Sequence, residues 1–346
     1  MLQRRVVWAC ALCLLCVAAG GGGAGRCAEP SLRRGRRPLA EGCLVVYVDV
    51  GTNIGVQLRK FFQPEHYPGA HAVRVFANSF PTDASVRNGS RPCAFGFEAN
   101  PSHTASLRRL EAAYTAAGHR LSIATETAAA TADGNTTFFF TGKRWNDLGA
   151  STMKNAWLAQ GRATRVVQAK VRTIDLARWL RAEVFARSEA TRPGAAVVMK
   201  LDIEGSEVSV LPWLAQCGAL CGIGPTMIEM HAHLAEDRTA YVRALEPFMR
   251  AARTNSRSEL ARVVRATPGE RCTFQPLLID DELYSNDNGR PGNAIANRVY
   301  GFRPSAPLPL PGRGAPLWPD WAGAQRAADA ILIQSRPRPD SLGLTP

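Results

Sequence analysis

Short apolar runs alternate along the chain with longer stretches of mixed polarity. LVVYVDV (44–50) is continuously apolar up to a terminal acid, which predicts a buried strand, and a glycine-containing turn and a helix to about Phe62 follow. AFGFE (94–98) predicts a second strand and 101–117 a helix, with proline near its start and Gly118 just past its end. RLSIAT (120–125) is a third strand, while TTFFF (136–140) and RVVQAKV (165–171) have the character of antiparallel additions. Helices over 173–187, 207–215 and 237–252 are spaced by strands AVVMKLDI (196–203) and TMIEMH (226–231), with 274–279 and 298–302 as a closing pair. This alternation argues for a mainly parallel α/β sheet with helices on both faces. Ligands in such sheets bind beyond the carboxyl ends of the strands, so the residues that follow each strand are the ones to inspect.

The two ends of the chain differ from this middle. Fourteen apolar residues, Val6 to Ala19, follow Arg4 and Arg5 and precede a glycine-rich stretch. That pattern predicts a targeting segment over 1–25, either a signal peptide or a single-pass signal anchor. A basic linker (26–43) follows, then a domain over 44–302 and a tail over 303–346 that holds nine of the 23 prolines. Within that tail, 318–334 can form one small docked helix. The net charge is +13, of which +5 comes from residues 1–43 (seven Arg against Glu29 and Glu41) and +2 from the tail. The middle is therefore only mildly basic, which argues for a solvated linker over a nucleic-acid surface. Three of the nine cysteines lie in the apolar run; the other six, an even number, suit disulfides in an oxidising compartment. Cys217 and Cys221 lack a matching Cys/His pair, and no metal site is assigned. Asn88-Gly-Ser90 and Asn135-Thr-Thr137 are glycosylation sequons.

Four strand ends carry the chemistry. Asp49-Val-Gly51-Thr-Asn53-Ile-Gly55 leaves a strand and opens a helix, and its spacing departs from the dinucleotide pattern GxGxxG. An acid followed by GxxxG suits a ligand with an amino-acid moiety, whose carboxylate meets backbone N–H groups while the acid attracts the ammonium. S-adenosylmethionine is such a ligand. Glu98, ending the second strand, can accept hydrogen bonds from both ribose hydroxyls. Asp202 and Glu204 lie on one side of the chain leaving the 196–203 strand, where they can hold substrate, bind a cation or take a proton. His231 ends the next strand and is a candidate general base, its ordinary pKa lying near neutrality.

In this order, DVGTNIG (49–55), FEANP (97–101), MKLDIEGSEVSVL (199–211) and IEMH (228–231) resemble the motifs of FkbM-type methyltransferases. VRTID (171–175) and Ala128…Asp133-Gly134 are similar to two further segments of that family, so the likeness spans roughly 44–302. The resemblance implies a class I methyltransferase, Rossmann-like fold with a seven-stranded, mainly parallel sheet. It implies S-adenosylmethionine as methyl donor and usually a hydroxyl as acceptor. Carried over, Asp49, Gly51, Asn53 and Gly55 surround the methionine portion, Glu98 the ribose, and Glu126 to Ala128 the adenine edge. Asp202, Glu204 and His231 are then the catalytic candidates. The 42 residues between Gly55 and Glu98 exceed a simple helix-and-turn connection, which predicts an inserted surface loop at about 77–92. The acidic stretch 280–287 is a candidate for the acceptor site or an exposed loop.

The expected activity is O-methylation of a glycan or small-metabolite hydroxyl in the secretory pathway. A dehydrogenase on the same sheet, a non-catalytic lumenal binding protein and a basic nucleic-acid binder remain open as alternatives.

Overall fold

The computed structural model describes residues 27, 35–67, 69–87, 89–140, 150–152, 166–235, 237–254, 264, 272–279, 310–312 and 314–335. The expected targeting segment, the acidic stretch 280–287 and the closing strand at 298–302 lie outside them. Among the described residues no helix is long and apolar enough to cross a membrane.

The main sheet has six strands: β1 (Cys43–Val50), β2 (Arg91–Glu98), β3 (Arg120–Thr125), β7 (Ala196–Leu201), β8 (Pro225–Ile228) and β9 (Gln275–Leu278). All pair in parallel, in the order β3-β2-β1-β7-β8-β9. Seven strands were expected; the described sheet has six. A smaller sheet of β4 (Thr127–Ala130), β6 (Val167–Asp175) and β5 (Gly134–Phe140) stands beside it, with β5 antiparallel to β6 as expected.

All eight residues of β1 are buried, as a central parallel strand requires. Side chains alternate between faces. Val46, Val48 and Val50 join β7 residues Val197 and Met199 under Trp179, Leu211, Leu214 and Phe248. Val45 and Tyr47 pack on the other face with Phe61, Phe76, Leu107 and Tyr114. The covering helices are α1 (Val56–Phe62), α2 (His71–Ser79), a single turn α3 (Ala84–Arg87), α4 (Thr104–Ala116), α5 (Leu176–Trp179), α6 (Glu207–Gln216) and α7 (Arg238–Thr254). α5 begins later than expected because residues 173–175 belong to β6, where Asp175 caps it by accepting from Arg178 N–H at 3.0 Å.

The connection from Gly55 to Glu98 first forms α2, whose Ala72, Val73, Val75 and Phe76 are buried. In the stretch expected as an inserted surface loop, about 77–92, α2 ends at Ser79, α3 buries none of its residues and β2 begins at Arg91. The expected tail helix is α8 (Trp321–Ser335). It docks through Trp321, which lies 5.0 Å centroid to centroid from Phe80 and donates its indole N–H to Phe61 O at 2.7 Å. All six cysteines outside the apolar run are paired, as Cys27–Cys217, Cys43–Cys93 and Cys221–Cys272.

Candidate active site

The carboxyl ends of β1, β2 and β7 open into a cleft with a cavity volume of about 60 Å³. Its two walls differ in composition. One is formed by Gly51, Asn53, Phe97, Glu98, His103 and Ala128; Asp202, Glu204 and Ser206 stand on the other.

On the first wall the β1–α1 turn folds under tight local constraints. Gly51 adopts φ +86°, and a Cβ there would sit 1.7 Å from the Asp202 carbonyl oxygen, so only glycine lets the ends of β1 and β7 meet. Gly55 (φ +90°) faces Leu110 of α4, where a Cβ would meet Cδ2 at 2.4 Å. Its service is to packing, and it does not line the cleft. Asn53 is a left-handed non-glycine residue (φ 53°). Its N–H donates to Glu98 Oε2 at 2.5 Å, while Asn100 N–H donates to Glu98 Oε1 at 2.7 Å. A carboxylate has about four lone-pair positions, so Glu98 retains acceptor capacity toward the cleft. Asn53 Oδ1 is buried with no hydrogen-bond partner among the described residues.

Asp49 is not on this wall. Strand alternation puts it on the Tyr47 face, fully buried, with Tyr47 OH donating to its Oδ1 at 3.2 Å. Burial pushes its pKa up to about 7, against the pull of Lys200 and of the Tyr47 hydrogen bond. It lies beneath the cleft floor rather than in it. Glu126 is exposed and its Oε1 accepts from Thr104 Oγ1 at 3.1 Å; Thr127 and Ala128 line the cleft beside it.

The second wall is a knot of charge centred on His231. Its Nδ1 lies 3.1 Å from Glu207 Oε1, and its Nε2 is 3.4 Å from Glu229, 3.5 Å from Glu204 and 3.6 Å from Asp202. Burial alone would lower the imidazole pKa. Hydrogen bonds to Glu207 and Glu229, with the charges of Glu204 and Glu207, outweigh it and push the pKa up to about 11. His231 is therefore held as a cation at neutral pH. It does not line the cleft, so both charge and position separate it from the expected general base. Asp202 does line the cleft and is ion-paired through Oδ2 with Lys200 Nζ at 2.5 Å. Glu204, in the left-handed region at φ 52°, has its pKa raised to about 9. Burial is the main cause; the charge of His231 pulls against it, and those of Asp202, Glu207 and Glu229 add to it.

Glu207 was not singled out in the sequence, yet it organises this wall. Fully buried at the start of α6, it accepts from Ile203 N–H and Gly205 N–H, each at 2.9 Å, and from Tyr241 OH at 3.0 Å. Its position in the first turn of a helix is the available signal, since an acid there satisfies free N–H groups. Burial and the Glu207 charge push the Tyr241 phenol above its ordinary range. Asp202, Glu207 and His231 each bring one ligand atom within 4.8 Å of the others, a spacing that would suit a shared cation.

A family model, the Methyltransferase FkbM domain, matches residues 49–256. The chain belongs to the FkbM methyltransferase family. The match begins at Asp49 and runs through β2, β7, β8 and α7, so both walls of the cleft fall inside the FkbM domain. No curated protein and no solved structure matches the chain.

Proposed function

We propose that this FkbM protein uses S-adenosylmethionine to methylate a hydroxyl on a glycan or small metabolite, and that it does so in the secretory pathway. The observation that carries the reading is the pairing, across one cleft, of a wall of open hydrogen-bonding groups around Glu98 with an acidic wall around Asp202.

The residues present fit the donor. Glu98 keeps acceptor capacity for ribose hydroxyls, Asn53 Oδ1 is a buried acceptor awaiting a donor such as the ammonium, and Ala99, Ala128 and Ala129 leave flat space for the adenine edge. Gly51 and Gly55 shape the turn that carries Asn53, while Asp49 and Lys200 form a charged floor beneath it. When bound, S-adenosylmethionine supplies an electrophilic methyl group. Phe97 and Phe138 screen that region from water. Asp202, oriented by Lys200, accepts the proton of the acceptor hydroxyl. Glu204, protonated near neutrality, donates a hydrogen bond, and the His231 cation holds the surrounding carboxylates in place. Alignment of two reactants can contribute about 7–11 kcal/mol to lowering the barrier, against roughly 10²–10⁴-fold for a base.

Support for the location is the complete pairing of the six cysteines together with the apolar run at the N-terminus. Asn135 is exposed on β5 and accessible to glycosylation.

The test is incubation of the protein with labelled methyl donor and fractionated glycan and metabolite extracts. Label should appear in a methyl ether, and Asp202→Asn should slow its formation roughly 10²–10⁴-fold while donor binding persists. Donor binding without transfer to any fraction would favour a non-catalytic binding protein, and binding of a nicotinamide nucleotide instead would favour the dehydrogenase.

A further inference from the structure

The 3₁₀ turn Pro101–His103 introduces a residue that the reading above does not use. His103 retains 2% of its surface and lines the cleft, and neither ring nitrogen has a hydrogen-bond partner among the described residues. An unsatisfied buried polar group costs about 1–3 kcal/mol, so an imidazole in this state calls for a bound partner. The turn that carries the ring is held in place by its own hydrogen bonds. Asn100 Oδ1 caps the turn by accepting from Ser102 N–H at 3.0 Å and Ser102 Oγ at 2.6 Å, and His103 O accepts from Ser106 Oγ at 2.8 Å.

His103 Nδ1 lies 3.7 Å from Glu98 Oε1, too far for a direct hydrogen bond. An oxygen about 2.8 Å from each of these atoms closes a triangle on that base. With the imidazole proton on Nδ1, the oxygen donates to a carboxylate and accepts from an N–H. A hydroxyl does both, whereas an anion would be repelled by Glu98 and an ammonium offers that N–H no acceptor.

We propose that His103 and Glu98 jointly hold one ribose hydroxyl of the bound nucleoside, the hydroxyl donating to Glu98 Oε1 and accepting from the Nδ1–H of His103. This rests on the nucleoside reading of the cleft and makes His103 a residue that selects ribose over deoxyribose.

The experiment is a calorimetric binding cycle on the full chain with S-adenosylhomocysteine and its 2′-deoxy and 3′-deoxy analogues. Wild type should lose about tenfold in affinity for one of the two analogues. His103→Phe, which keeps a ring and removes both nitrogens, should bind S-adenosylhomocysteine about tenfold more weakly and show no further loss with that analogue. His103→Asn, which restores a donor at the Nδ1 position, should recover part of the affinity and of the discrimination. Equal wild-type affinity for all three ligands would overturn the proposal whatever the variants do, and so would losses in His103→Phe that simply add to those of the analogue. Failure of wild type to bind S-adenosylhomocysteine at all would instead remove the nucleoside reading, and this proposal with it.

Discussion

The two walls of the cleft satisfy their polar groups in opposite ways. Around His231, five ionisable side chains and Tyr241 are bonded to one another, and Glu207 alone accepts from two backbone N–H groups, a phenol and an imidazole. Around Glu98 the polar groups are sparse, and Asn53 Oδ1 and both nitrogens of His103 go without partners among the described residues. A network closed on itself sets geometry and charge before any ligand arrives. A wall with open valences is completed by what binds to it. On the function proposed above, this contrast separates the side that fixes the chemistry from the side that recognises the donor.

The sharpest way to break the contrast is to open the closed wall. Glu207→Ala strands a buried cation and two backbone N–H groups, and should cost about 3–5 kcal/mol in urea unfolding. Gly51→Ala comes next. It forces a side chain into the left-handed region and against the Asp202 carbonyl, so about 2 kcal/mol should be lost and the two walls should shift relative to each other. Urea unfolding reads both costs, and loss of turnover reads the shift of the walls.

A subtler probe is pH. Glu204 has a folded pKa of about 9 against an ordinary 4.5, so the native state binds the extra proton. Its contribution to stability is complete below about pH 4.5 and is lost as pH rises through about 9. Glu204→Gln mimics the protonated acid permanently and carries no such slope. It should match wild type in acid and become progressively more stable than wild type from pH 6 to pH 9 in denaturant titrations. A constant difference across that range would place the charge elsewhere. The smallest expected effect on stability comes from the open wall. Ala128→Val adds two methyl groups to a small buried cluster beside the cleft and should cost about 1 kcal/mol in unfolding while weakening nucleoside binding measurably.

Much of the sheet was legible because β1, β2, β7 and β8 are apolar runs that stop at or near an acidic residue. Asp49, Glu98, Asp202 and Glu229 mark those ends, and the fold gathers all four at one edge. Periodicity does not say which face of a strand buried on both sides is roofed by helices, and so the sinking of Asp49 beneath the floor with Tyr47 was not foreseen. Residues 77–92 read as an insertion from the length of the connection alone, while α2 went unassigned because its partner is α8, some 250 residues later, and only the tertiary contact of Phe76, Phe80 and Trp321 gives it a reason to be a helix. The base role expected for His231 rested on an isolated imidazole near neutrality. Four carboxylates drawn from two separate motifs change that residue's charge, and no local pattern announces their convergence. Glu207 and His103 were missed for the same reason: one is defined by the partners it gathers, the other by the partners it lacks.

The central claim is that the open wall binds a nucleoside through Glu98. Titration calorimetry of S-adenosylmethionine against wild type and Glu98→Ala tests it most directly. The account predicts saturable binding to wild type and about 100-fold weaker binding to the variant, the loss of hydrogen bonds to a charged acceptor. Equal affinity for the two proteins would contradict it.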